Sequence, residues 1–240
     1  TKRYPIRDYE KLYLKEVETN EFYKLNDELI EVELEANQIK KIIVGNEKKK
    51  GQIEVIKIDK DNKEVVIPNV TFEVYDEKGK IVDTMITDEN GKSVSKLLPI
   101  DQEYTIKETK IENEIYKLTE ETQKIILKED KITSITFENE KRKGQIKVIK
   151  TDGETEVPLE DVIFIVKDSK GNIVDRIITN KLGEGTSKKL PIDDNYTVYE
   201  EKTKKGYILS NEKQVVTLKE DEITTVELEN YKEKGSIKIL

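Results

Sequence analysis

The chain has 240 residues, of which 39% are charged and 35% hydrophobic, with a formal net charge of −8, which suits two ordinary domains with modest cores. Because basic residues are interspersed with acidic ones and aromatic residues are few, we expect no nucleic-acid binding. The absence of Cys and His excludes disulfides, thiol catalysis, Cys/His zinc sites and His-based triads, so we expect neither a cofactor nor a metal.

An internal repeat organises the chain. Lys50-Gly51-Gln52-Ile53 recurs at residues 143–146 and, as Lys-Gly-Ser-Ile, at 234–237, with the glycines 93 and then 91 residues apart. A period near 90 is too long for a solenoid unit and suits a small self-contained domain. In chain order we predict the C-terminal part of a truncated repeat at 1–48, complete repeats at 49–141 and 142–232, and the first strand of a truncated further repeat at 233–240.

The opening segment matches the second half of a repeat. Residues 12–16 align with the segment that ends at Glu108, and residues 45–48 align with 138–141. Residues 4–6, Tyr-Pro-Ile, stand where Leu-Pro-Ile stands at 98–100.

Within a complete repeat, short runs of alternating apolar and polar residues are separated by turn sequences. Residues 53–57 and 132–137 alternate with period two, which is typical of strands, and residues 76–79 and 88–91 have turn composition. Roughly seven such strands predict an all-β fold: tandem Ig-like or prealbumin-like β-sandwiches in a head-to-tail string, without a helix.

The turn at 88–91, Asp-Glu-Asn-Gly, also resembles the start of a calcium loop. A loop of that class needs a further bidentate acid several residues later, and residues 93–96 offer none. We therefore interpret the segment as a hairpin turn.

Three polar residues recur on the apolar face of the strands. Side chains two positions apart share a face, so Ile53 and Val55 lead to Lys57, and corresponding runs lead to a glutamate and an asparagine. The eight residues in this register are Lys57, Lys150, Glu16, Glu108, Glu200, Asn46, Asn139 and Asn230. One alternative is that strand ends lie near water, and another is a buried Lys–Glu ion pair with Asn as a neighbour. Repetition in register makes coincidence difficult to accept.

Such a trio permits a specific reaction. An apolar setting disfavours charge, which moves Lys towards the nucleophilic amine and Glu towards the neutral acid. Attack on the Asn side-chain carbon would expel ammonia and leave an amide crosslink, once per domain and without a cofactor.

These motifs resemble the tandem B-type repeats of the collagen-adhesin (Cna) class, whose prealbumin-like fold also occurs in SpaA-type shaft pilins of Gram-positive bacteria. The resemblance rests on Lys-Gly-x-Ile-x-Val-x-Lys-x-Asp at 50–59 and 143–152, on Tyr-x-x-x-Glu, and on the closing Phe-x-Asn or Leu-x-Asn. It implies isopeptide bonds Lys57–Asn139, assisted by Glu108, and Lys150–Asn230, assisted by Glu200.

The resemblance also implies an exported, cell-wall-associated or secreted protein that serves as a stalk or adhesin. The chain departs from the family after Glu108, where the usual Pro and Gly-Tyr are absent, and it has neither a Leu-Pro-x-Thr-Gly sorting motif nor a Tyr-Pro-Lys pilin motif near Tyr4. The opening segment has Glu16 and Asn46 without a lysine strand, and the next reactive lysine would follow Leu240 at position 241. We expect no bond in either incomplete end.

The sequence leaves three functions open. The first is a mechanical spacer in which neighbouring repeats are each tied between first and last strand. The second is a binding module whose loops hold a host matrix protein or a glycan, although no aromatic platform is evident. The third is a spacer appended to an extracellular enzyme; in all three the chain itself would turn over no substrate. No apolar run is long enough to span a membrane.

Overall fold

The computed structural model describes residues 11–239, and this part of the chain consists of strands, turns and loops, without a helix. The all-β prediction is therefore confirmed. The residues at 4–6 and Leu240, which entered the repeat alignment, lie outside the described range. Across residues 11–239 no helix is long and apolar enough to span a membrane.

The described residues form two compact units. One contains residues 11–112 and 118–139, and the other contains 113–117 together with 140–239. The short segment 113–117 belongs to the second unit because the Arg142 N–H donates to the Ile115 carbonyl at 2.7 Å and Tyr116 forms a β-bridge with Lys141.

The opening segment contributes one antiparallel pair of strands to the first unit. They are β1 (Leu12–Leu14) and β2 (Ile30–Val32). Val32 is buried, whereas Tyr13 and Leu14 are largely exposed. The predicted truncated repeat therefore forms local β-structure with little core of its own.

The first complete repeat has eight strands, one more than predicted, because the Leu-Pro pair forms a two-residue strand. They are β3 (Lys50–Asp59), β4 (Val70–Tyr75), β5 (Ile81–Ile86), β6 (Lys92–Val94), β7 (Leu98–Pro99), β8 (Glu103–Ile111), β9 (Thr122–Ile126) and β10 (Ile132–Asn139). One sheet has the order β10-β3-β6, with β7 also paired to β3, and the other has the order β5-β4-β8-β9.

The second complete repeat has the same topology. Its strands are β11 (Lys143–Asp152), β12 (Ile163–Lys167), β13 (Ile173–Ile178), β14 (Glu184–Thr186), β15 (Leu190–Pro191), β16 (Asn195–Lys202), β17 (Lys213–Thr217) and β18 (Ile223–Asn230). β11 pairs with β14, β15 and β18, and the other sheet has the order β13-β12-β16-β17.

In each repeat the first and last strands are parallel neighbours. β3 pairs with β10 over eight consecutive positions, from Gln52 opposite Ile132 to Asp59 opposite Asn139. β11 and β18 pair in the same way. Because the two strands run in the same direction, the chain enters a repeat at one end of the sheet and leaves it at the other.

Strict alternation builds the core. In β3 every second residue from Gly51 to Asp59 is buried, and inward residues of the opposite sheet such as Phe72 and Tyr104 are buried as well. The same alternation in β11 buries Ile146 and Val148. The period-two pattern therefore corresponds to a genuine inner face.

The two predicted turns differ in what they connect. Residues 76–79 join the paired strands β4 and β5, as a hairpin should. Residues 88–91 join β5 to β6, which lie in different sheets, so the hairpin interpretation of this turn was wrong in detail. Asp88 Oδ1 accepts the N–H groups of Asn90 and Lys92 at 2.9 Å, and Gly91 has φ +67°, which makes this a tight turn capped by its own aspartate.

The glycine that opens each repeat lies against the loop before the last strand. A Cβ on Gly51 would lie 2.4 Å from the Lys128 carbonyl oxygen, and one on Gly144 would lie 2.4 Å from that of Lys219. Only glycine allows this backbone approach, which explains why the repeat begins with Lys-Gly.

Candidate functional site

Three strands from both sheets bring the predicted trio together in the first repeat. Lys57 lies on the inner face of β3, Asn139 ends the neighbouring β10, and Glu108 lies on β8 in the opposite sheet. Asn139 lies two positions after the residue of β10 that is paired with Lys57, so its side chain points to the same inner face. A β-bulge between Thr71 and Phe72 adjusts β4 next to Glu108.

The three side chains of the first repeat are buried at contact distance. Asn139 Nδ2 donates a hydrogen bond of 2.6 Å to Glu108 Oε1, and Lys57 Nζ lies 3.7 Å from Glu108 Oε2. Lys57 and Glu108 are both 0% exposed, and Asn139 is 1% exposed. The interpretation of these residues as solvated strand ends is therefore wrong, because their polar heads lie inside the sandwich.

The second repeat reproduces the arrangement. Asn230 Nδ2 donates to Glu200 Oε1 at 2.7 Å, and Lys150 Nζ lies 3.2 Å from Glu200 Oε2. The Phe164 ring centroid is 5.9 Å from Lys150 Nζ, so an aromatic face adjoins the amine. Two independent copies of one geometry support a common purpose.

Burial shifts the ionisation of the site in the direction that the sequence predicts. Desolvation lowers the pKa of Lys57 to about 8, against the attraction of Glu108. Desolvation also raises the pKa of Glu108, although its hydrogen bond from Asn139 opposes the change. The pKa of Lys150 is likewise lowered by burial. Both lysines therefore hold their proton less firmly than a surface lysine does.

Several polar atoms of each site lack a protein hydrogen-bond partner. In the first repeat these are Lys57 Nζ, Glu108 Oε2 and Asn139 Oδ1, and the same three atoms are unpartnered in the second repeat. Buried polar atoms are normally satisfied, and each exception costs about 1–3 kcal/mol. The same three atoms recur in both repeats, so the arrangement belongs to the repeat and is not an accident of one copy.

The asparagine amide turns its nitrogen towards the glutamate in both repeats. A neutral glutamic acid can donate to an amide oxygen, but here Nδ2 faces Glu108 in the first repeat and Glu200 in the second. The carboxyl group thus lies between the lysine amine and the nitrogen that would depart as ammonia. In this position it can take a proton from one nitrogen and give one to the other.

The opening segment retains the glutamate and asparagine of the site. Asn46 Nδ2 donates to Glu16 Oε2 at 2.7 Å, and Glu16 Oε2 also accepts the Asn26 N–H at 2.7 Å. Among residues 11–48 no lysine-bearing first strand accompanies this pair. The Glu–Asn contact therefore forms without the nucleophile.

Two kinds of neighbouring residue escaped the sequence analysis. Asp59 and Asp152 end the first strands and are buried, and Asp152 accepts the Tyr207 hydroxyl at 2.8 Å. Backbone N–H groups and Tyr207 hold the pKa of Asp152 well below its usual range. Thr203 Oγ1 contacts Asn230 Nδ2 at 2.5 Å. The Lys-x-Asp pattern was a usable signal for the aspartates, whereas Thr203 lies in a loop without one.

Comparison with known families then fixes the classification. The profile of the prealbumin-like fold domain named SpaA matches residues 51–141 and, separately, residues 144–232. The chain belongs to this family. The predicted resemblance is thereby confirmed, and the two SpaA-type domains of this chain are prealbumin-like structural modules. No curated protein sequence matches the chain.

Solved structures with a fold similar to this pair of SpaA-type domains come from other bacterial proteins. The TIE protein of Bacillus anthracis is 30% identical with a TM-score of 0.65; the match covers 92% of this chain and 42% of the TIE protein. The minor pilin GBS52 of Streptococcus agalactiae is 18% identical over 79% of this chain and 99% of that one, with a TM-score of 0.39. The shaft pilin SpaA of Lactobacillus rhamnosus GG, as its D295N mutant, is 14% identical over 78% and 100%, with a TM-score of 0.35.

Proposed function

We propose that the chain is a structural stalk of a bacterial cell-surface protein, and that each complete repeat is locked by a self-formed isopeptide bond. The bonds join Lys57 to Asn139 and Lys150 to Asn230, assisted by Glu108 and Glu200. The observation that carries the proposal is the buried Lys–Glu–Asn cluster, present twice, between parallel first and last strands.

The reaction balances without a cofactor or oxidant. The neutral Lys57 amine attacks Cγ of Asn139 and forms the new C–N bond. The neutral Glu108 acid gives its proton to Nδ2, the C–N bond to Nδ2 breaks, and that nitrogen leaves as ammonia. The Glu108 carboxylate then takes one proton from the attacking nitrogen, which leaves a neutral amide and restores the acid. Holding the reactants in place is worth roughly 7–11 kcal/mol of the barrier.

A permanent ion pair explains the site less well. Burying both charges costs several kcal/mol per ion and is repaid only by complete hydrogen bonding. Here Lys57 Nζ and Glu108 Oε2 are 3.7 Å apart and neither has a hydrogen bond. Formation of an amide between Lys57 and Asn139 would abolish the positive charge of the lysine and would release Nδ2 of Asn139 as ammonia.

The position of the bond suits a load-bearing spacer. Tension that enters β3 at Lys50 would pass along the strand to Lys57, cross the bond to Asn139 and leave the repeat there. Most of the sandwich lies between these two residues in sequence and would carry no load. This path exists because the first and last strands are parallel neighbours.

Placement at the cell surface is supported by the family and by relatives. The matched family is named for SpaA, and the names of two structural relatives describe a minor pilin and a shaft pilin of Gram-positive bacteria. We accordingly place the chain outside the cell, attached to the wall or secreted. Binding of a matrix protein or glycan, and attachment to an extracellular enzyme, remain predictions that no feature of these sites favours.

The test is the intact mass of the chain under denaturing conditions. Each bond removes one ammonia, about 17 Da, and no denaturant restores it. We expect a deficit of two ammonias, falling to one in Lys57→Met and in Lys150→Met, whereas Lys60→Met, at an exposed site just after β3, keeps both. A mass equal to that of the plain sequence would reject the crosslink and leave a buried ion pair.

A further inference from the structure

The leaving nitrogen of the second repeat has a partner that the first repeat lacks. Asn230 Nδ2 carries two N–H groups, and it lies 2.7 Å from Glu200 Oε1 and 2.5 Å from Thr203 Oγ1. Thr203 directly follows the end of β16 and is partly exposed, whereas Glu200 is buried. Two acceptors fix the plane of the amide and the direction in which Nδ2 points.

The opening segment contains the same contact. Asn46 Nδ2 lies within hydrogen-bond distance of Glu16 Oε2 at 2.7 Å and of Thr19 Oγ1 at 3.0 Å, with the Lys24 carbonyl as a third acceptor at 3.0 Å. Thr19 stands three residues after Glu16, as Thr203 stands three residues after Glu200. The arrangement therefore occurs in two separate parts of the chain, and it does not depend on the lysine strand.

The first repeat departs from this pattern. Ile111 occupies the position three residues after Glu108, and β8 continues through it to pair with Val70. Thr109, the residue after Glu108, donates its hydroxyl to the Thr71 carbonyl at 3.4 Å. No threonine hydroxyl is therefore among the hydrogen-bond partners of Asn139 Nδ2 that the structure gives.

We propose that Thr203 is a positioning residue for bond formation in the second repeat. This inference rests on the proposed isopeptide function. Its hydroxyl accepts an N–H of Asn230 and holds Nδ2 beside Glu200, so that Cγ is presented to Lys150 and the departing nitrogen lies next to its proton source. The hydroxyl exchanges no atom with the product: the C–N bond to Nδ2 breaks, and Glu200 supplies the proton.

The two repeats should therefore form their bonds at different rates. With the hydroxyl in place, the Asn230 amide rarely turns away from Glu200. Without it, the amide samples orientations in which the nitrogen faces away from the acid. Loss of one hydrogen bond corresponds to a rate about three- to tenfold lower.

The experiment follows both bonds in one refolding chain. The full chain is recovered unfolded and unreacted from inclusion bodies, refolded by dilution, quenched in acid at intervals and mapped by peptide mass. The Lys57–Asn139 bond is the internal reference in every sample. Thr203→Val removes the hydroxyl with little change of shape, Thr203→Ser retains it, and Thr225→Val alters an exposed threonine on β18 as a control.

We expect Thr203→Val to slow the Lys150–Asn230 bond about three- to tenfold against the reference, and Thr203→Ser and Thr225→Val to leave it within about twofold. Rates are counted only in chains whose second repeat has become protease-resistant, which removes folding defects from the comparison. An unchanged rate in Thr203→Val, or a loss in Thr203→Ser as large as in Thr203→Val, overturns the inference. Absence of any ammonia loss in the unmodified chain instead overturns the proposed function itself.

Discussion

Replacing Lys57 by methionine separates the contribution of the covalent bond from that of the buried charges. Methionine fills nearly the same volume, cannot react, and leaves the Asn139 hydrogen bond to Glu108 in place. The bond closes a loop of about 80 residues, which on loop-entropy reasoning stabilises the repeat by roughly 4–5 kcal/mol. The reacted repeat holds no ammonium, and burial raises the pKa of Glu108 so that it can stay a neutral acid beside the methionine, so Lys57→Met should be destabilised by roughly these 4–5 kcal/mol.

Glu108→Ala should be considerably worse. It also prevents the bond, but it leaves the Lys57 amine buried without the carboxylate that lies 3.7 Å away. Removing one member of a buried pair costs about 3–5 kcal/mol beyond the loss of the bond itself. The predicted order of stability of the first repeat is therefore unmodified chain, then Lys57→Met, then Glu108→Ala.

Pulse proteolysis across a urea titration measures this order, with the unaltered second repeat as reference in the same sample. Glu89→Ala, in the exposed turn before β6, serves as the matched control and should behave like the unmodified chain. The reasoning fails if Lys57→Met unfolds at the same urea concentration as the unmodified chain, because a covalent tie of this length cannot be energetically silent. It also fails if Glu108→Ala is as stable as Lys57→Met.

Three further predictions follow from the same geometry. Burial lowers the pKa of Lys57 to about 8 and raises that of Glu108, so between these two pKa values the Lys57–Glu108 pair holds one proton. Bond formation in the first repeat needs this proton and a neutral amine, so its rate should fall above about pH 8, where the proton is lost, and in acid, where both groups are protonated. Quenched refolding measures the profile, and a rate that keeps rising in alkali would contradict the role of the shared proton. Gly51→Ala places a Cβ 2.4 Å from the Lys128 carbonyl oxygen and should cost about 1–3 kcal/mol in urea unfolding, whereas Gly45→Ala, with open space around it, should change stability by less than about 0.5 kcal/mol. In single-molecule pulling, unfolding of the first repeat in Lys57→Met should lengthen the chain by roughly 280 Å, at about 3.5 Å per residue. The unmodified chain should not lengthen in this way, and such a lengthening would exclude the bond.

The fold could be predicted because its information is local and repeated. The alternation in β3 and β10 defines an inner face without knowledge of the partner strand, and the recurring Lys-Gly marks the start of each domain. The connection made by residues 88–91 could not be predicted, because a capped aspartate turn has the same sequence whether it joins paired strands or crosses between sheets.

The site was predictable in its members but not in its details. A polar residue on the apolar face of each of three strands identified Lys57, Glu108 and Asn139, since burial of such residues requires a chemical or structural reason. The direction of the asparagine amide depends on neighbours from another sheet. The contribution of Thr203 depends on loop geometry, because the corresponding segment of the first repeat is one residue longer and forms a strand instead.

The placement of the reactive pair near the ends of the first and last strands has a consequence for proteolysis. With the proposed bond in place, residues 57 to 139 form a closed covalent ring inserted into the chain, and the exposed turns near Gly79, Gly91 and Asp130 lie within it. A single cut at any of these turns opens the ring without severing the protein, since the remaining arc still connects the two ends. Further cuts between residues 57 and 139 release only pieces of the ring, because the amide itself still joins Lys57 to Asn139. A stalk of such repeats would thus stay connected after damage that would divide an ordinary β-sandwich.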